Sequence, residues 1–170
     1  MRRVTAKSPS AQLESFLAKF TPEVAAAAKD ALGRMRKRWP GAIELVYDNY
    51  NFLVIGFAST ERASDTIVSL AVAANGVGLS FYYGATLPDP KKLLLGSGKQ
   101  NRFIRLPSSE TLESPDVLAL IRAAVTQGKT PLSDKVGGYT VIKSISSKQR
   151  PRRKAQATPS KHHASIRSRV

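Results

Sequence analysis

A chain of 170 residues is long enough for one domain with its own apolar core, plus short tails. It holds no cysteine, which excludes disulfides, thiolate nucleophiles and Cys-ligated metals. No apolar run approaches the ~20 residues of a membrane span, and no apolar stretch follows the basic residues of MRRVTAKSPS, so no membrane contact, no secretory signal and a cytoplasmic setting are expected. The net charge of +15 is unevenly spread. Residues 144–170 carry eight basic residues and no acid, and residues 1–9 carry three, so the remaining 16 stand against all 12 acids. The middle of the chain is only mildly basic.

Residues 1–9 are expected to be disordered. Ser10 is a candidate helix cap, and Leu13, Phe16, Leu17 and Phe20 follow at the spacing of one helical stripe. Thr21-Pro22-Glu23 predicts a second start, with a capping hydroxyl, a proline at the first helical position and an acid at the positive end of the dipole. Val24, Ala28, Ala31, Met35 and Trp39 form its apolar stripe, and Pro40-Gly41 stops it. Its last turn carries Arg34, Arg36, Lys37 and Arg38, either a solvated face matched to the dipole or an anion patch.

Ile43–Tyr47, Phe52–Ala58, Thr66–Ala74 and Val77–Tyr83 read as four strands of an antiparallel meander. Turn formers fill Asp48–Asn51, and Asn75-Gly76 predicts a type I′ hairpin turn, which needs positive φ at both residues. Leu87–Pro90 breaks the chain, and Lys91–Leu95 is expected to form one or two helical turns. Gly96–Gly98 turns into a fifth strand, Asn101–Leu106. Ser114-Pro115-Asp116 opens a helix with a broad apolar face through Val117, Leu120, Ile121 and Ala124, ended by Gly128. Gly137–Ile145 is a candidate edge strand. The expectation is an α+β domain over residues 10–143, with a five- to six-stranded, mainly antiparallel sheet and N-terminal helices and one C-terminal helix packed on it. Residues 144–170 are expected to be a disordered basic tail, too poor in apolar groups to offset chain entropy.

Few residues carry chemistry. GSGK at Gly96–Lys99 is not a phosphate loop: Gln100 stands where Ser or Thr would meet magnesium, and a strand follows in place of a helix. What remains is a glycine turn or a backbone anion nest supported by Lys99 and Arg102. Arg102 and Arg105 fall on opposite faces of a regular strand. Both histidines, His162 and His163, lie in the tail, which cannot position a catalytic base. Glu44 and Asp48 share one strand face and are the candidate pair for a hard cation or for acid–base work. Among the aromatic residues, Tyr47 and Tyr83 are the candidates to line a ligand pocket. Lys148, Arg150, Arg152, Arg153 and Lys154 are the candidate phosphate contacts of a tail that would bind nucleic acid without sequence preference. No cofactor is expected.

Three stretches carry a family likeness: VYDNYNFLVIGFA (Val46–Ala58), SFYYGATLPDPKKLLLGSGKQNRFIRL (Ser80–Leu106) and PDVLALIRAA (Pro115–Ala124). Together they resemble the YdhG-like family, also called domain of unknown function 1801, over roughly Gln12 to Gln127. The resemblance implies a small α+β sandwich of YdhG-like or frataxin-like type and a bacterial setting, and some members are described as frataxin-like iron chaperones. That activity needs a cluster of surface carboxylates. The long helix here ends in Arg34, Arg36, Lys37 and Arg38 instead, so no iron ligands are carried over. The resulting expectation is a non-enzymatic binding module.

Overall fold

The computed structural model describes residues 6–155; the expectations for residues 1–5 and for most of the basic tail lie outside the described residues. Three α-helices form among them: α1 (Pro9–Leu17), α2 (Pro22–Arg38) and α3 (Pro115–Gln127). Each starts with a hydroxyl residue followed by proline. Ser8, not Ser10, caps α1 by accepting the Ala11 amide, and Thr21 caps α2 by accepting the Val24 amide. Proline supplies the helical φ without wasting an amide that has no intrahelical partner.

The six strands are β1 (Ile43–Asp48), β2 (Leu53–Ala58), β3 (Thr66–Ala73), β4 (Gly76–Phe81), β5 (Arg102–Leu106) and β6 (Thr140–Ile145). They form one sheet in the order β5-β4-β3-β2-β1-β6. The first four make the expected antiparallel meander, β5 joins it antiparallel to β4, and β6 adds to the far edge parallel to β1. An extra residue in β6, Lys143, makes a bulge where the register shifts between Val46 and Tyr47.

Strand alternation decides where the core sits. Leu53, Ile55 and Phe57 of β2, Leu70 and Val72 of β3, and Val77, Leu79 and Phe81 of β4 all belong to one buried cluster. Leu13, Phe16 and Leu17 of α1, Leu32 and Met35 of α2, and Leu120 and Ile121 of α3 complete it. The helices therefore cover one face of the sheet. Burying a leucine-sized side chain in this layer contributes about 2 kcal/mol, so it is this face that drives folding.

Two local expectations change. The β3–β4 hairpin forms, but its turn residues are Ala74 and Asn75, and only Gly76 takes positive φ, so the turn is not type I′. Lys91–Leu95 is not helical. The Asp89 carboxylate accepts the amides of Leu93 and Leu94, Lys92 takes a φ of 52°, and Leu95 pairs with Phe103 outside the main sheet. A side-chain acceptor two residues before a basic pair offers the backbone an alternative to helix.

The chain also runs on as structure past residue 143, where disorder was expected. β6 continues to Ile145, and residues 146–153 return over the loop after β1. The Ser146 amide donates to Asp48 O, the Arg150 amide to Tyr50 O, and the Arg153 guanidinium to the carbonyls of Lys19 and Ala18. What seats β6 is a close backbone approach: the Gly138 amide donates to Pro40 O at 3.0 Å. A Cβ on Gly138 would lie 2.3 Å from Ala42 O. Gly138→Ala should therefore destabilise the fold by about 2 kcal/mol, read as a lower urea midpoint, whereas Gly137→Ala should act only through its positive φ of 138°.

Candidate functional site

The two carboxylates singled out from the sequence do face the helices together, but they do not form a site. Four strand residues place their Cα atoms about 13 Å apart. Glu44 is neutralised by Arg36 of α2, through Nε at 2.5 Å and Nη2 at 2.9 Å, and accepts a third bond from the Thr140 hydroxyl. Asp48 is 1% exposed and lies between the Lys19 ammonium and the Arg152 guanidinium, the latter at 2.8 Å. Burial pushes the Asp48 carboxyl up, and hydrogen bonds from Lys19, Gln149 and Arg152 more than reverse that, so it is held below its ordinary value. Among the described residues no group of three potential ligands (His, Cys, Asp or Glu) comes close enough to hold a metal ion. The expected hard-cation pair is two separate ion clusters that tie α2 and the chain's C-terminal segment to β1.

The other candidates are dispersed. Arg102 turns its guanidinium back onto the carbonyls of Gly98 and Asn101, closing the Gly-rich turn that was read as an anion nest; Lys99 stays exposed. Tyr83 is fixed by its hydroxyl, which donates to Ser64 O at 2.9 Å, and by Gln127, whose amide donates to its carbonyl. Tyr47 lies apart from Tyr83, on β1 beside Val54 and on the sheet face away from the helices, and its hydroxyl is buried without a partner among the described residues. Burial, and then the nearby Tyr82, push its pKa up and keep it protonated. Within the basic segment, Arg152 is only 6% exposed and stacks over Phe20, so it is a core contact and not a phosphate contact. Arg150 covers Tyr50 and Arg153 holds Lys19 and Ala18, leaving Lys148 and Lys154 exposed. At the basic end of α2, Arg34 pairs with Asp30 and Arg38 with Glu113, while Lys37 is exposed and has no ion pair among the described residues.

A concave site lies on the sheet face that the helices leave open. Its floor is made by Ser69, Ala71 and Ala73 of β3 and by Gly78 and Ser80 of β4, the residues that alternate with the core positions. Small side chains there leave a trough of about 660 Å³. Phe52 and Val54 wall it on the β2 side, and Phe103 and Arg105 on the β5 side. Tyr82 closes one end, and the Asn75-Gly76 turn marks the other. Three strand spacings separate the two walls, about 14 Å between backbones. Phe52 is 44% exposed and adds its ring to the apolar surface of the trough. The lining holds one charged residue, Arg105, and no acid. Chemically it offers an apolar channel, a few hydroxyl and amide groups, and one cation.

A smaller hollow of about 250 Å³ lies beside Tyr83 and Gln127 at the end of α3, and the hydrogen bonds of those two residues are already internal. The trough was not found from the sequence, although the signal was there: SLAVA and GVGLS alternate large and small residues, not apolar and charged ones. Comparison with protein-family models, with curated proteins and with solved structures finds no match to this chain.

The Asp48 cluster generates a test of its structural role. A carboxyl held low in the folded state contributes stability above its unfolded value of 3.8, and that stability is lost as pH falls through the lower folded value. Asp48→Asn strands the buried Arg152 and should cost about 3 kcal/mol at neutral pH. The gap between variant and wild type should narrow at about pH 3 and below, as read from urea unfolding at both pH values.

Proposed function

We propose that this chain is a YdhG-like domain that works as a non-enzymatic binding module and takes its ligand in the trough on the open sheet face. One observation carries the reading. The faces of β3 and β4 turned away from the helices are lined with glycine, alanine and serine, while aromatic residues rise on both sides. A sheet face that is merely solvated carries charged and long polar side chains; this one carries a shaped apolar hollow of the size that small-molecule sites have. The lining has no carboxylate, imidazole or thiol, which favours binding over catalysis. An iron-chaperone role has no support in the carboxylates, since Glu44 and Asp48 are each committed to cations. No helix among the described residues is long and apolar enough to cross a membrane.

The basic C-terminal end supports a second reading, salt-dependent association with nucleic acid, because residues 144–170 contain no acid. Arg150, Arg152 and Arg153 are engaged within the fold, and Lys148 and Lys154 remain from that set.

Nile red, an uncharged dye that brightens in apolar surroundings, tests the first reading. It should bind the full chain, and Ala71→Phe, which fills the trough from a half-buried floor position, should reduce that binding at least tenfold with no loss of melting temperature. Equal binding by the variant would contradict the trough as the site. For the second reading, a chain ending at Ala155 and carrying Lys148→Gln and Lys154→Gln keeps the Asp48–Arg152 contact and should lose duplex DNA binding at low salt; unchanged binding would rule the basic segment out.

A further inference from the structure

The trough has a polarity along its length that narrows the class of ligand. Arg105 pairs with Gly78 across β4–β5, so it stands over the trough near its hairpin end. Tyr82 stands at the other end, in the turn just past β4 and four residues from Gly78, about 13 Å away. Between them the floor is Ala71, Gly78, Ser80 and Ser69, with the Phe103 ring alongside. Arg105 is exposed and makes no ion pair among the described residues. This contrasts with the other arginine of the same strand, Arg102, which is occupied by loop carbonyls. A guanidinium with its donors free, at one end of an acid-free apolar channel, is a receptor for an oxyanion attached to an apolar body.

We infer that the trough binds a small monoanionic amphiphile, a carboxylate head on Arg105 with an apolar chain of medium length running along Ala71 and Ser69 to Tyr82. This rests on the trough being the ligand site. Charge decides between occupants. The chain's own basic tail would bring cations against Arg105 and is repelled. A single-stranded nucleic acid needs a row of cations to follow its backbone, and the trough has one. A carboxylate satisfies the one unpaired cation, and the small floor residues allow an extended chain to lie flat against the sheet. The Phe52 and Phe103 rings then cover it from both sides.

The experiment uses the full chain with Nile red bound and three competitors of equal chain length: decanoate, decanol and decyltrimethylammonium. Decanoate should displace the dye at the lowest concentration, at least tenfold below decanol, and the ammonium compound should be the weakest, because the charge-assisted bond to Arg105 is present only in the first. In Arg105→Gln the advantage of decanoate over decanol should vanish while Nile red still binds. If the three competitors displace the dye equally from wild type, the trough stands as a site and the anionic ligand is overturned. If Arg105→Gln keeps the decanoate advantage, Arg105 is not the receptor and the inference also falls. A single-stranded oligonucleotide displacing the dye at lower concentration than decanoate would overturn it in favour of a nucleic acid. Failure of Nile red to bind wild type at all would remove the trough reading itself.

Discussion

A strand presents successive side chains to opposite faces of a sheet, and this constraint governs the molecule. In β2 to β4 the two faces hold side chains of different size, not just different polarity. Large aliphatic and aromatic residues meet the helices; Gly56, Ser69, Ala71, Ala73, Gly78 and Ser80 face the other way. The first set makes the core. The second set cannot contribute much to stability, because alanine and glycine bury little area. Its consequence is a hollow. The same alternation that folds the chain therefore shapes its open face, and a register slip of one residue would destroy both at once.

The edges of the sheet are handled by ions and by close backbone contact. β1 would be an exposed edge without β6, and β6 has few apolar residues of its own to hold it. Asp48 and Glu44 supply the missing attachment. Glu44 ties β1 to α2 and to Thr140 of β6, and Asp48 gathers Lys19 after α1 and Arg152 beyond β6. Such buried charges give little net stability over an apolar alternative, but removing one partner is expensive. They act here as register pins for both ends of the domain. This also explains why acids that looked available for metal or catalysis are not.

Much of the fold was legible. The hydroxyl-proline starts of α2 and α3, the four-strand meander, the glycine turn into β5 and the edge strand at Thr140–Ile145 all follow from local spacing and turn chemistry. The misses have physical causes. Ser8-Pro9 is the same start signal as Thr21-Pro22, but the apolar stripe began later and drew attention to Ser10. The Asp89 side chain diverts Leu93 and Leu94 from a helix, which periodicity does not register. Arg152 looked like one more charge in a basic run, and its burial depends on Asp48, over a hundred residues away. Long-range ion pairing leaves no local pattern. The candidate site was missed for a different reason. Reactive and charged residues mark a site in a sequence, whereas the trough is defined by the absence of side-chain volume.

The proposed ligand site is the open sheet face, and not the tail or the carboxylates. Amide chemical-shift mapping during titration with decanoate tests it most directly. Shifts should concentrate at Ser69, Ala71, Gly78, Ser80, Tyr82 and Arg105, with Glu44, Asp48 and Lys148–Lys154 unmoved. Shifts confined to the surroundings of Tyr83 and Gln127, or to the basic C-terminal segment, would contradict it.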